Sequence, residues 1–275
     1  NKVHDKYLYS EKLLQTIEET KTNINVKGDL TLLLLEAKKN WEQLTPDAQE
    51  RISKILERPE GLENNYIPSS GFFRLWYATD GDDAVDATDD NGNNIPDYVE
   101  KMGAVFGQVK TDYTNAGYFL PPTYDGEGYE SEYYDVYLSS GEAGEGTYGY
   151  VAPEYEIGDN PNSEAVEENS NSSYMVMRSS YEDFGDTEEA QFNAVKATAA
   201  HEFTHAVQMG YDAVNMTGFI MEICAVWAED WIYPGIDDNF QYLPTLFAMP
   251  DIALDYRDGE GLDEEEGFAG HWYSS

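Results

Sequence analysis

The sequence predicts an α+β fold: a small mixed sheet ahead of two consecutive helices, with a helical segment in front. Three observations predict it. Residues 188–211 (EEAQFNAVKATAAHEFTHAVQMGY) place Phe192, Val195, Ala199, Phe203, Ala206 and Val207 at helical spacing, forming one apolar stripe. Residues 219–233 (FIMEICAVWAEDWIY) read as a second helix, set off by Gly218 and closed by Pro234-Gly235. Short runs of aromatic and β-branched residues at 72–78, 133–138 and 174–177 read as strands.

Taken in order, residues 4–58 are helical. The run at 30–39 (LTLLLLEAKK) is followed by Trp41 and Leu44. Thr45-Pro46-Asp47 then caps a helix that runs through Ile52, Ile55 and Leu56 to Pro59. Residues 1–68 form an N-terminal segment, read as a packing appendage in preference to a propeptide remnant, and 69–275 form the main domain. Pro59, Gly61, Asn64, Asn65, Pro68 and Gly71 mark a loop. Pro96 opens a helix through Val99, Met102, Val105, Phe106, Val109 and Tyr113, stopped near Gly117. Residues 141–149 read as a Gly-rich turn, 148–151 as a short partner strand, and 154–173 as an acidic exposed loop. Residues 243–249 are a further apolar segment, and 251–267 are acidic. Asn171 and Asn215 begin glycosylation triplets.

Sixteen basic against 54 acidic residues give a formal charge of −38. A chain this acidic repels nucleic acid and anionic membranes and favours cations, calcium among them. No apolar run of membrane-spanning length exists, so membrane insertion is not expected. Cys224 stands alone and is read as a small buried hydrophobe. The chain begins at Asn1 and ends at Ser275 without a stop signal, which reads as a processed chain or a fragment.

Within the first of the two helices lies His201-Glu202-Phe203-Thr204-His205. Residues four apart share a helix face, so both imidazoles can reach one metal ion. The H-E-x-x-H pattern is that of zinc metalloproteases, with the intervening Glu as general base. His201 and His205 lie opposite the apolar stripe, beside Ala194, Ala197, Thr198 and Gln208. One face would pack into a core and the other would floor a cleft. A catalytic zinc needs a third protein ligand. After His205 no third His follows at the metzincin spacing, so the ligand is a carboxylate. Glu222 and Glu229 share a face of the next helix. Glu222 is chosen as ligand, and Glu229 or Asp230 would orient a His, unless the pair is simply solvated.

Residues 89–100 (DDNGNNIPDYVE) have the layout of a 12-residue calcium loop. Asp89, Asn91, Asn93, Asp97 and Glu100 fall at its oxygen-ligand positions and Ile95 would offer its carbonyl. Asn94 stands at the left-handed sixth position.

H-E-F-T-H followed by E-x-x-A-x-W-x-E-D resembles the gluzincin type of zinc peptidase. The segments FFRLWYATDGDDAV, N-G-N-x-x-P-D-Y-V-E, Y-D-V-Y-L, Y-G-Y-V-A-P, H-E-F-x-H-A-V-Q and E-x-x-A-x-W-x-E-D occur in one order. That order resembles a family of secreted bacterial and archaeal metalloproteases, the MXAN type, over roughly residues 45–275. The resemblance implies a zincin-like domain with His201, His205 and Glu222 as zinc ligands and Glu202 as catalytic base. Ile223 departs from it, since the family usually has Gly there, and the early end of the chain leaves little for a second lobe.

The expected function is an extracellular or cell-surface zinc endopeptidase acting on peptide or protein substrates. Glu202 would take the proton of an activated water and pass it to the leaving amine. A second oxyanion donor, a Tyr or His271, stays unassigned. The alternative is a non-catalytic extracellular protein that binds metals for stability or self-assembles. A third reading has residues 1–58 lying over the cleft of an inactive precursor.

Overall fold

The computed structural model describes residues 2–23, 29–125, 128, 130–241, 243–248, 250, 251 and 253. The acidic tail, including His271, lies outside the described residues. The N-terminal helices are α1 (Lys2–Thr22), α2 (Leu30–Lys39) and α3 (Pro46–Ile55). Strands β1 (Asn64–Tyr66) and β2 (Phe73–Tyr77) lead to α4 (Asp97–Asn115), β3 (Tyr134–Leu138), the single turn α5 (Ser140–Ala143), β4 (Gly149–Gly158) and β5 (Ser170–Met177). Then come α6 (Glu188–Asp212), α7 (Gly218–Ile232) and the short α8 (Leu243–Ala248).

The protein is α+β, with a five-stranded mixed sheet in the order β1-β2-β3-β5-β4. β2, β3 and β5 are parallel, and β1 and β4 run antiparallel at the two edges. Side chains alternate across the sheet as period two requires. Phe73, Leu75, Tyr134, Val136, Leu138, Met175 and Met177 join the core shared with α4, α6 and α7. Tyr137, Tyr150, Ala152, Tyr174 and Val176 join a second core shared with α1, α2 and α3. Helices therefore cover both faces, which is why every residue of β3 and β5 is buried.

The structure corrects four local expectations. Residues 154–158 and 170–173 are not loop but the ends of a long β4–β5 pair. The partner strand expected at 148–151 is ten residues long, with register shifts around Glu156. Its Pro153 is tolerated because β4 is an edge strand. The acidic, Asn/Ser-rich composition hid these strands, because their pairing partner supplies the stability that propensity does not. The turn expected at 141–149 contains α5, and the loop expected at 60–70 contains β1.

Helix α2 contributes Leu32 and Leu35 to one core and Leu30, Leu33 and Leu34 to the other. It packs on β4 and so lies across the sheet edge. This explains a four-leucine run in which no position faces solvent. Burying each such leucine stabilises by about 1.5–3 kcal/mol. The segment is thus docked firmly, and Arg58 ties down its end. Arg58 forks onto Glu154 through Nε and Nη2, 2.7 Å each, and pairs with Asp135.

Of the two glycosylation triplets, Asn171 is buried in β5 while Asn215 is exposed. Cys224 is only half-buried.

Candidate metal centre

α6 starts at Thr187, whose side chain accepts from Ala190 N at 3.2 Å. Phe203 anchors its apolar stripe, with its ring 5.3 Å from Phe73 and 5.4 Å from Tyr113, centroid to centroid. These contacts turn His201 and His205 the other way, toward α7 and the start of α2. Residues 197–210 are buried, with α7 and the start of α2 lying against the histidine face.

The rings of His201 and His205 bring their Nε2 atoms to 3.1 Å. Their Nδ1 atoms are both committed. His201 Nδ1 lies 2.7 Å from Glu229 Oε1, a carboxylate that can only accept. His205 Nδ1 lies 2.9 Å from Gln208 Oε1. The amide orientation of Gln208 is itself fixed, because its Nε2 donates to Met221 O at 3.0 Å. Each Nδ1 must therefore carry a hydrogen, and each Nε2 of a neutral ring is a bare lone pair. Two lone pairs at 3.1 Å repel unless a cation lies between them.

Two carboxylates complete the group. Glu222, on α7, is 1% exposed, and neither of its oxygens has a hydrogen-bond partner. Its Oε1 lies 3.3 Å from His205 Nε2, and its Oε2 lies 3.7 Å from His201 Nε2. The closer contact is no hydrogen bond once Nε2 lacks a hydrogen. Asp29, the N-cap of α2, divides its carboxylate between two tasks. Oδ1 accepts from Leu32 N at 3.0 Å, while Oδ2 sits 3.4 Å from His201 Nε2 and 3.3 Å from His205 Nε2.

One donor atom from each of Asp29, His201, His205 and Glu222 lies within 4.8 Å of the others. Donors about 2.0–2.1 Å from a tetrahedrally held ion stand about 3.3–3.4 Å apart. The measured separations cluster around that value. A fully buried carboxylate facing two imidazole nitrogens fits a metal ion, and these four residues could hold one.

Electrostatics follow the same arrangement. Burial works to lower the His205 pKa, but the Asp29 charge and Glu222 push it up to about 10. His201 is likewise raised well above its usual value, against burial, by Asp29 and Glu229. Burial works to raise Asp29, yet the two histidines hold it well below the carboxylate range. Glu222 is raised by burial and by the Asp29 charge. Burial lifts Glu229 to about 6, opposed by its bond to His201. The site demands positive charge, and in the metal-free chain protons meet that demand.

Glu202 is also buried, and its Oε2 accepts from Thr31 Oγ1 at 2.9 Å. Burial and the neighbouring Asp29 charge raise its pKa to about 7. Asp230 is half-buried and makes none of these contacts; of the two acids it is Glu229 that bonds His201 Nδ1.

Sequence reasoning missed Asp29, Thr31 and the role of Gln208. A faint signal existed for Thr31, one polar residue inside a run of leucines that is buried throughout.

The loop at 89–100 is folded as an Asx-rich turn. Asp89 Oδ1 accepts from Gly92 N and Asn93 N, and its Oδ2 accepts from Asn94 N at 2.8 Å. Glu100 accepts from the side-chain amides of Asn91 and Asn93, and Asp97 accepts from Asp90 N. Ile95 N donates to Asn93 Oδ1 at 2.8 Å. Asn94 has φ of 67°, the left-handed conformation that Asn tolerates. Asp89, Asp97 and Glu100 do not form a converging group like the buried one.

No protein-family model matches the chain, and no curated protein or solved structure matches it either.

Proposed function

We propose that this chain is a zinc-dependent peptide hydrolase of the zincin-like, gluzincin type, working outside the cell or at its surface. The observation that carries the reading is the convergence of both histidine Nε2 atoms, 3.1 Å apart, with the buried carboxylate of Glu222, and Glu202 between the two histidines in sequence. Two imidazoles and a carboxylate suit zinc better than a harder ion. A zinc ion held there would supply Lewis acidity and bring the pKa of a bound water toward neutrality.

The chain's own residues supply the rest. His201, His205 and Glu222 hold the ion, while Glu229 and Gln208 fix which ring nitrogens face it. Glu202 takes the proton of the attacking water and returns it to the leaving amine, so that no net proton is lost. The resemblance to secreted metalloproteases supports the same assignment. For the loop at 89–100 the spacing of oxygen donors supports calcium, although its carboxylates do not converge as the buried group does.

The test is zinc content together with Glu202→Gln. The native chain should bind about one zinc. Glu202→Gln should keep the zinc and lose hydrolysis by at least a hundredfold, the usual scale of a general base. Full activity in that variant removes Glu202 from the reaction.

One observation favours a second reading. Asp29 brings the number of protein donors to four, and closed four-ligand sites are structural. A non-catalytic metal-binding surface protein would have this feature, but it has no need of a buried carboxylate near pH 7 beside the metal.

A further inference from the structure

We propose that the N-terminal segment blocks its own active site, with Asp29 as a fourth metal ligand and Thr31 holding the catalytic base. The proposal rests on the zinc-hydrolase reading and adds a regulatory state to it.

The geometry places the blocking groups. Asp29 Oδ2 lies 3.4 and 3.3 Å from the two histidine Nε2 atoms, the distance that a shared ion imposes on its donors. It therefore takes the place that an open catalytic site leaves to water or substrate. Asp29 cannot drift away, because its other oxygen caps α2. Two residues on, the Thr31 hydroxyl makes two bonds. It donates to Glu202 Oε2 at 2.9 Å and accepts from Val151 N at 2.9 Å. Val151 belongs to β4, whose outer edge is unpaired in the sheet. The segment thus takes three things at once: a metal position, the base, and an amide donor on the strand beside the site. Thr31 is fully buried, and the leucines around it seat it in both cores. A helix that only packed on the domain would need neither an acid aimed at the histidines nor a hydroxyl on the base.

The experiment uses the full chain loaded with cobalt(II) in place of zinc and titrated with acetohydroxamate. The visible absorption of cobalt reports its ligand set. Asp29→Asn keeps a good N-cap while removing the charge, and Asp29→Ala removes the ligand altogether. The native spectrum should ignore millimolar acetohydroxamate. Both variants should bind it at least tenfold more tightly and should hydrolyse casein at least tenfold faster than the native chain. A native spectrum that shifts at the same acetohydroxamate concentration as the Asp29→Asn spectrum overturns the proposal, and this result needs no folded alanine variant. If the variants bind acetohydroxamate yet do not hydrolyse casein, the block stands and the hydrolase reading falls. If the native chain hydrolyses casein as fast as the variants, the hydrolase reading stands and the block falls.

Discussion

Glu229 offers a sharp test of how the centre is built, because it would act on a bound metal through His201. Its Oε1 lies 2.7 Å from His201 Nδ1 and it is 8% exposed, so the hydrogen bond forms in a largely dry environment. The carboxylate keeps a hydrogen on Nδ1 and turns Nε2 toward Glu222 and Asp29. Glu229→Leu removes the acceptor, lets the ring turn and equalises the tautomers. Losing such a partner weakens metal binding by about 10–100-fold, or about 1.4–2.7 kcal/mol. Glu229→Gln should fall at the low end, since its amide oxygen can still accept while its charge is lost. Gln208 already shows that an amide suffices beside His205, provided something fixes its orientation. Competition with a chromophoric zinc chelator measures both variants. Zinc affinity of Glu229→Leu within twofold of native, with folding intact, would refute the argument that Nδ1 bonding prepares the site.

Arg58→Ala should cost about 3–5 kcal/mol in urea denaturation, since it leaves Glu154 buried without its bidentate partner while Asp135 keeps Arg74 and Trp76. A loss under 1 kcal/mol would show the pair to be energetically idle. In the metal-free chain the His205 pKa is raised from 6.5 to about 10. Its contribution to stability is complete below pH 6.5 and is lost as the pH climbs through about 10. Zinc loading at pH 7.5 should accordingly release protons, read by calorimetry in buffers of different ionisation enthalpy, and a release of none would contradict the charge assignment. Calcium should raise the Tm of the chain through the loop at 89–100. Asn94→Val should abolish that rise and cost about 1–2 kcal/mol from its left-handed backbone, whereas an unchanged Tm on adding calcium would discard the calcium assignment.

Much of the fold was legible locally. The period of 188–211 marks α6, Thr187 and Thr217 cap α6 and α7 through their own side chains, and Thr45-Pro46 opens α3. The strands at 73–77 and 134–138 are rich in aromatic and apolar residues, as their place in the core demands. The strand ends at 154–158 and 170–173 were not legible, because polar residues there pair with each other across a loop and propensity is blind to pairing.

For the site, the sequence alone determined what a helix can enforce. Spacing by four sets His201 and His205 on one face with Glu202 between them. Spacing by seven sets Glu222 and Glu229 on one face of α7, whichever helix it meets. Helical geometry is rigid over such distances, so residue type and interval suffice. Only the tertiary structure decided that Glu222 faces the imidazoles, that Glu229 and not Asp230 meets His201, and that Gln208 is locked by Met221 O. It alone brought Asp29 and Thr31 across from α2, with Thr31 171 residues before the Glu202 it contacts. No periodicity links positions so far apart. Their meeting follows from leucines buried in two cores at once, which carry the helix over the sheet edge and set its first turn on the candidate metal-binding side chains.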